Sequence, residues 1–148
     1  MVSQKCQYAI RAMFELARRH GQGPVRIIDI AEAQAIPARF LEVILSQLRR
    51  AGFVQSRRGA TGGYFLARKP DEVTVGTIIQ FVDGPLGPVS CMTGKAAEDC
   101  ALHGNCVFIG MWKRAEKAMC DVYDLTSLRD LIDADTARQQ GVSLSYSI

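Results

Sequence analysis

Apolar residues recur along this chain at helical spacing, then at strand spacing, then at helical spacing again. Ser3 is placed to cap a first helix, behind which Ile10, Met13, Phe14 and Ala17 repeat by three and four. Gly21 and Gly23 end that helix, and Pro24 lies just beyond. Val25 to Ile27 reads as a short β-like segment. A brief helix fits Ile28 to Gln34, followed by a tight turn at Ala35-Ile36-Pro37. Pro37 suits the first position of the next helix, where its missing N–H costs nothing. That helix is predicted from about Ala38 to Ala51, stopping at Gly52. Phe40, Leu41, Ile44, Leu45 and Leu48 form its apolar stripe, with Arg39, Glu42, Ser46, Arg49 and Arg50 on the other faces. Two helices joined by a short turn, the second one basic, make a helix-turn-helix pattern.

The period then changes. Phe53 to Ser56 and Tyr64 to Ala67 read as two strands joined by Arg57-Arg58-Gly59-Ala60-Thr61-Gly62-Gly63, whose glycines tolerate positive φ. A hairpin directly after a helix-turn-helix is a wing. Pro70 and Asp71 punctuate the chain, and Thr74 caps a short helix over Val75–Val82. Gly84-Pro85-Leu86-Gly87-Pro88 is a turn-rich link. A long helix follows Cys106 and runs to about Tyr123. Phe108, Met111, Trp112, Ala115, Met119 and Val122 form a stripe on it wide enough to pack on another helix. Leu125 to Ala134 is expected to be helical and the tail from Arg138 loose. The fold class expected is therefore mostly α with a small β-hairpin wing: a winged helix-turn-helix plus a long C-terminal helix. The expected division is 1–83 for the winged domain, 84–106 for a cysteine-rich loop, 107–134 for the long helix and its successor, and 135–148 for a flexible tail.

Charge sharpens this division. Residues 1–70 carry 12 Lys and Arg against four acids, net +8, whereas residues 71–148 carry six against 11, net −5. A basic half joined to an acidic half points the first toward a polyanion, although a solvated basic surface accounts for the charge alone equally well. Arg39 and Glu42 sit one turn apart near the start of the third helix. There Arg39 is suited to bridge guanine O6 and N7, and Glu42 to accept from a cytosine amino group. The competing reading makes them an ordinary surface pair. Arg49, Arg50, Arg57 and Arg58, with Gly59 and Thr61 in the hairpin loop, are better placed for the DNA backbone or a minor groove. The Arg-flanked hairpin beside the helix-turn-helix favours double-stranded DNA. No run approaches the ~20 apolar residues of a membrane span, and the polar start at Met1–Lys5 is unlike a signal peptide, so a cytoplasmic home is expected. No catalytic constellation stands out: neither histidine has a nucleophile partner in the pattern. The hairpin glycines precede a strand rather than a helix, which is wrong for nucleotide binding.

Three of the five cysteines, Cys91, Cys100 and Cys106, crowd into one irregular loop. Lys95 adds positive charge to it, while Glu98 and Asp99 oppose that charge. Such a loop can fold three thiolates around one centre. An iron–sulfur cluster, a Cys₃His zinc site recruiting His103 and a switching disulfide without metal all fit the spacing. Cys120 and Cys6 read most simply as small apolar packing residues, and His20 as a cation at a helix C-terminus.

Up to about Ala134 the chain resembles the IscR/NsrR/RirA family of bacterial winged-helix regulators. The resemblance is carried by Gln7-Tyr8-Ala9-Ile10-Arg11-Ala12-Met13, Ile30-Ala31-Glu32, Phe40-Leu41-Glu42 and Leu48-Arg49-Arg50-Ala51-Gly52. It continues through Arg58-Gly59-Ala60-Thr61-Gly62-Gly63-Tyr64, Thr74-Val75-Gly76, Asp83-Gly84-Pro85 and the three-cysteine loop. It implies a homodimer whose long helices cross, and a 2Fe–2S or 4Fe–4S cluster on Cys91, Cys100 and Cys106 that senses iron, nitric oxide or oxidants. Two positions depart from the family. Ile109 stands where some relatives place a histidine ligand, and Gln7 where others place a carboxylate from the partner. The fourth ligand falls to His103, to a small exogenous molecule or water, or to Cys6 of the partner subunit, with His103 slightly favoured because it lies inside the loop.

Overall fold

The computed structural model describes residues 1–93 and 97–141. The segments, in order, are α1 (Gln4–Arg18), α2 (Ile27–Gln34), α3 (Ala38–Arg50), β1 (Val54–Arg57), β2 (Gly63–Leu66), α4 (Val75–Val82), α5 (Ile109–Leu125) and α6 (Leu128–Gln139). Short 3₁₀ turns also occur at Pro70–Glu72 and Ser90–Met92. The mostly helical winged fold expected from the pattern is the one observed.

Caps begin the helices where the sequence places them. The Ser3 hydroxyl accepts from the Cys6 N–H at 3.1 Å, and the Thr74 hydroxyl accepts from the Thr77 N–H at 3.2 Å. Ser127 and Asp130 form a reciprocal capping box on α6, satisfying two otherwise orphan donors. The turn between α2 and α3 passes through Ala35 at φ 51°, a left-handed conformation that a small residue tolerates best. Pro37 stands at the N-cap of α3 rather than inside its first turn, one residue earlier than expected. The expected β-like stretch at Val25–Ile27 shrinks to a single bridge. Val25 exchanges both backbone hydrogen bonds with Tyr64 at 2.8 Å, while Ile27 already belongs to α2.

One core gathers Ala12, Met13 and Leu16 of α1, Ile30 of α2, Leu41, Leu45 and Leu48 of α3, Val54 and Leu66 of the wing, and Ile78 of α4. Leu128 of α6 is fully buried in the same core. Thus α6 folds back onto the winged head, and it continues through Gln139, past the expected end at Ala134. Residues 135–139 of the expected loose tail are helical because the capping box and the docked Leu128, Leu131 and Ile132 carry the helix onward. Residues 142–148 of that tail, and Lys95 of the cysteine loop, lie outside the described residues. Phe40, assigned to the buried stripe of α3, is instead 60% exposed. It sits at the edge of the stripe, with its ring 6.4 Å from that of Tyr8 on α1.

The passage from α5 to α6 is tied to the start of α4. The Val75 N–H donates to the Thr126 carbonyl at 2.9 Å, and the Leu128 N–H donates to the Val73 carbonyl at 2.9 Å. Thr74 and Ser127 form an isolated antiparallel bridge between these bonds.

Candidate nucleic-acid interface and cysteine cavity

The reading surface is built on α3. Burial of Leu41, Ile44, Leu45 and Leu48 fixes the helix's rotation and turns Arg39, Glu42, Arg49 and Arg50 outward, all of them exposed. Arg39 and Glu42 form no ion pair with each other, so the surface-pair reading finds no contact to support it. Arg49 donates to the Ser56 hydroxyl at 3.2 Å and so braces the end of α3 against the wing.

The wing is a two-stranded antiparallel hairpin paired from Val54↔Leu66 to Arg57↔Gly63. Arg57, Arg58, Gly59 and Thr61 are all exposed at its tip. The Gly62 N–H donates to the Gly59 carbonyl at 3.0 Å, closing the tip. Gly63 has φ 150°, and a Cβ there would run into the Val25 carbonyl. The bridge to Val25 thus needs glycine at this position. Arg39, Arg50, Arg57 and Arg58 all lie outside the ion pairs formed among the described residues. Their charges are free for an external anion.

A network that pattern reading passes over holds this surface to α1. Glu15 is fully buried and accepts from Arg18 at 2.7 and 2.8 Å, from Arg19 at 2.6 Å and from Gln34 at 2.9 Å. Burial pushes its carboxyl up, but the hydrogen bonds from Arg18, Gln34 and Arg19 outweigh that and hold it below its ordinary value. Arg11 also donates to the Gln34 carbonyl at 3.4 Å. Two side chains of α1 therefore grip the last residue of α2, directly before the turn into α3. The signal available in the sequence is an acid inside an apolar stripe, followed by arginines at i+3 and i+4.

The second site is the loop before α5. Cys91, Cys100, His103 and Cys106 line one cavity of about 640 Å³ together with Ile109, Trp112 and Lys113. Cys91 sits in the Ser90–Met92 turn. The Cys100 carbonyl accepts from the His103 N–H at 2.9 Å, and the Cys106 carbonyl accepts from the Ile109 N–H at 3.3 Å as α5 begins. All three thiols are free and half-buried. The donor set suits a cluster or a zinc ion: three thiols and an imidazole face one space. Among the described residues no three His, Cys, Asp or Glu side chains already stand in a metal-holding arrangement, so binding requires the loop to draw in.

His103, the favoured fourth ligand, lines the cavity from an exposed position. Cys6 does not fit that role. It is fully buried against Val75 and Ile79, and burial together with the nearby Asp83 charge pushes its thiol up to about 12. Gln7 is exposed and donates to the Val2 carbonyl at 3.2 Å. Cys120 lies half-buried on α5, its thiol raised by burial and then by Asp124, Glu116 and Asp121.

Among the described residues no helix is long and apolar enough to cross a membrane. Residues 2–134 match the Rrf2 family, described as iron-dependent transcriptional regulators. The chain is 36% identical over 139 residues to the HTH-type transcriptional regulator CymR of Bacillus subtilis, covering 94% of each. The solved structure of CymR, described as the global cysteine regulator of that organism, superposes with a TM-score of 0.74 over 90% of this chain and 97% of that one. IscR of Aliivibrio salmonicida is 36% identical over 138 residues, 93% of this chain and 80% of its own. The structure of T. potens IscR, 34% identical, has a TM-score of 0.73 over 99% of this chain and 94% of that one.

Proposed function

This chain belongs to the Rrf2 family of transcriptional regulators, and we propose that it is a homodimeric DNA-binding regulator that senses iron, redox state or nitric oxide through an iron–sulfur cluster. The observation that carries this reading is the convergence of Cys91, Cys100 and Cys106 on one cavity at the head of α5. Arg39 and Glu42 read base edges, while Arg49, Arg50, Arg57 and Arg58, with Gly59 and Thr61, meet the backbone or a minor groove. Cys91, Cys100 and Cys106 hold the cluster, and His103 or a small exogenous molecule completes it. When bound, the cluster supplies redox and ligand-exchange chemistry. Because α5 starts three residues after Cys106, a change at the cysteines would be passed along this helix toward the reading heads. A second copy of the chain covers α5, which leaves Met111, Val122 and Leu125 at least half exposed.

A second reading keeps the same regulator but replaces the cluster by zinc or by a thiol redox switch. It is favoured by the free thiols and by the likeness to a cysteine regulator. Anaerobic purification followed by visible absorption and metal analysis separates the two. The cluster reading expects colour with stoichiometric iron and sulfide, lost in a folded Cys100→Ala protein. Colourless protein with stoichiometric zinc, or without metal even after reconstitution, overturns it.

A further inference from the structure

The centre of the outward face of α3 is occupied by an apolar side chain. At 100° per residue, Arg39, Val43, Ser46 and Arg50 fall within about 60° of one another, opposite the buried stripe, and Glu42 lies about 70° to one side of their centre. Val43 is 55% exposed, midway along the 13-residue helix, with Arg39 and Arg50 exposed on either side of it. With more than half of its surface exposed, a valine there gains little from burial in the protein. Its β-branch also lowers helix propensity slightly relative to the straight-chain residues common on exposed faces. Among the groups that base edges present in the major groove, the C5-methyl of thymine is the one that pairs with apolar side chains.

We propose that Val43 is a specificity-determining residue that reads a thymine methyl in each half-site, next to the base pair read by Arg39 and Glu42. This rests on the DNA-reading role proposed above. Arg39 and Arg50, one turn before and two turns after it, straddle the contact and fix its depth in the groove. The chemistry recognised is the methyl group alone, so uracil at the same position keeps every hydrogen-bonding edge and loses only the apolar contact.

The test uses the full-length protein and the duplex it selects from a random library. Each thymine of the selected site is replaced singly by uracil, and Kd is measured for the native protein and for Val43→Ala. One thymine per half-site should show about a fourfold loss with native protein, the effect of removing one buried methyl-sized contact. Val43→Ala should be indifferent to uracil at that position while melting at the native temperature, since the side chain is exposed. Equal affinity for every uracil duplex, or an equal loss with Val43→Ala, overturns the assignment of Val43 while leaving the DNA-reading role standing. Failure to select any sequence overturns both.

Discussion

Replacing Glu15 by Gln exchanges one carboxylate oxygen for an amide nitrogen at the fully buried centre of the network that ties α1 to the end of α2. The carboxylate accepts hydrogen bonds from the charged Arg18 and Arg19 guanidiniums and from the uncharged Gln34 amide. Glutamine keeps one acceptor oxygen and turns an amide N–H₂ toward a guanidinium. A hydrogen bond to a charged group contributes about 1.5–3 kcal/mol, but the Arg18 and Arg19 side chains are 39% and 33% exposed, and water takes over part of their loss. The net destabilisation should be about 2 kcal/mol. For a chain of this size that lowers Tm by roughly 6–8 °C, measured by thermal unfolding at fixed protein concentration. The pH dependence has a definite sign. Glu15 is held below the ordinary 4.5 in the folded protein, so its contribution is complete above that value and disappears as pH falls through the lowered folded value. The gap between native and Glu15→Gln proteins should stay constant from neutral pH down to about 5 and close in stronger acid. Equal melting at neutral pH, or a gap that persists unchanged in strong acid, refutes the reasoning.

Gly63→Ala should destabilise the protein by at least about 2 kcal/mol, because the new Cβ meets the Val25 carbonyl at a positive φ and pries the wing from its bridge. Chemical unfolding checks this; a native-like midpoint excludes it. On DNA, Glu42→Ala and Arg58→Ala should differ in kind. Glu42→Ala relaxes preference at one base pair by about 1–3 kcal/mol with little change in overall affinity. Arg58→Ala weakens all sequences alike and reduces the salt slope by about one. Competition binding over operator variants at several salt concentrations separates the two patterns, and the same pattern for both variants would remove their assigned division of labour.

Much of the head was legible in the sequence because its signals are local. Ser3 and Thr74 cap helices through contacts three residues away, and Gly59, Gly62 and Gly63 mark the wing by conformational need. The stripe at Leu41, Ile44, Leu45 and Leu48 sets the orientation of α3 without outside help. Positions decided by distant partners were not legible. The arginines at i+3 and i+4 hint at a paired Glu15, but its contact with Gln34 of α2 is long-range, and Leu128 looks like any helical leucine until α6 folds back onto the core. Phe40 satisfies the spacing of the stripe yet lies at its edge, with its ring beside that of Tyr8. The cysteines announced a shared loop through their spacing, but the cavity they line depends on backbone turns at Cys100 and Cys106.

The bridge between Thr74 and Ser127 gives α5 the mechanics of a lever. Its fulcrum is pinned by two backbone hydrogen bonds beside the base of α4, and its free end begins three residues after Cys106. A helix of 17 residues is an arm about 25 Å long. A displacement of about 2 Å at the cysteine end, ordinary for switching helices, tilts such an arm by about 5°. Because the pinned end adjoins the segment that leads out of the wing, such a tilt would reach the head as a rotation. On the dimeric reading proposed above, with half-sites about 34 Å apart, a small rotation at each fulcrum would take both heads out of phase with the groove.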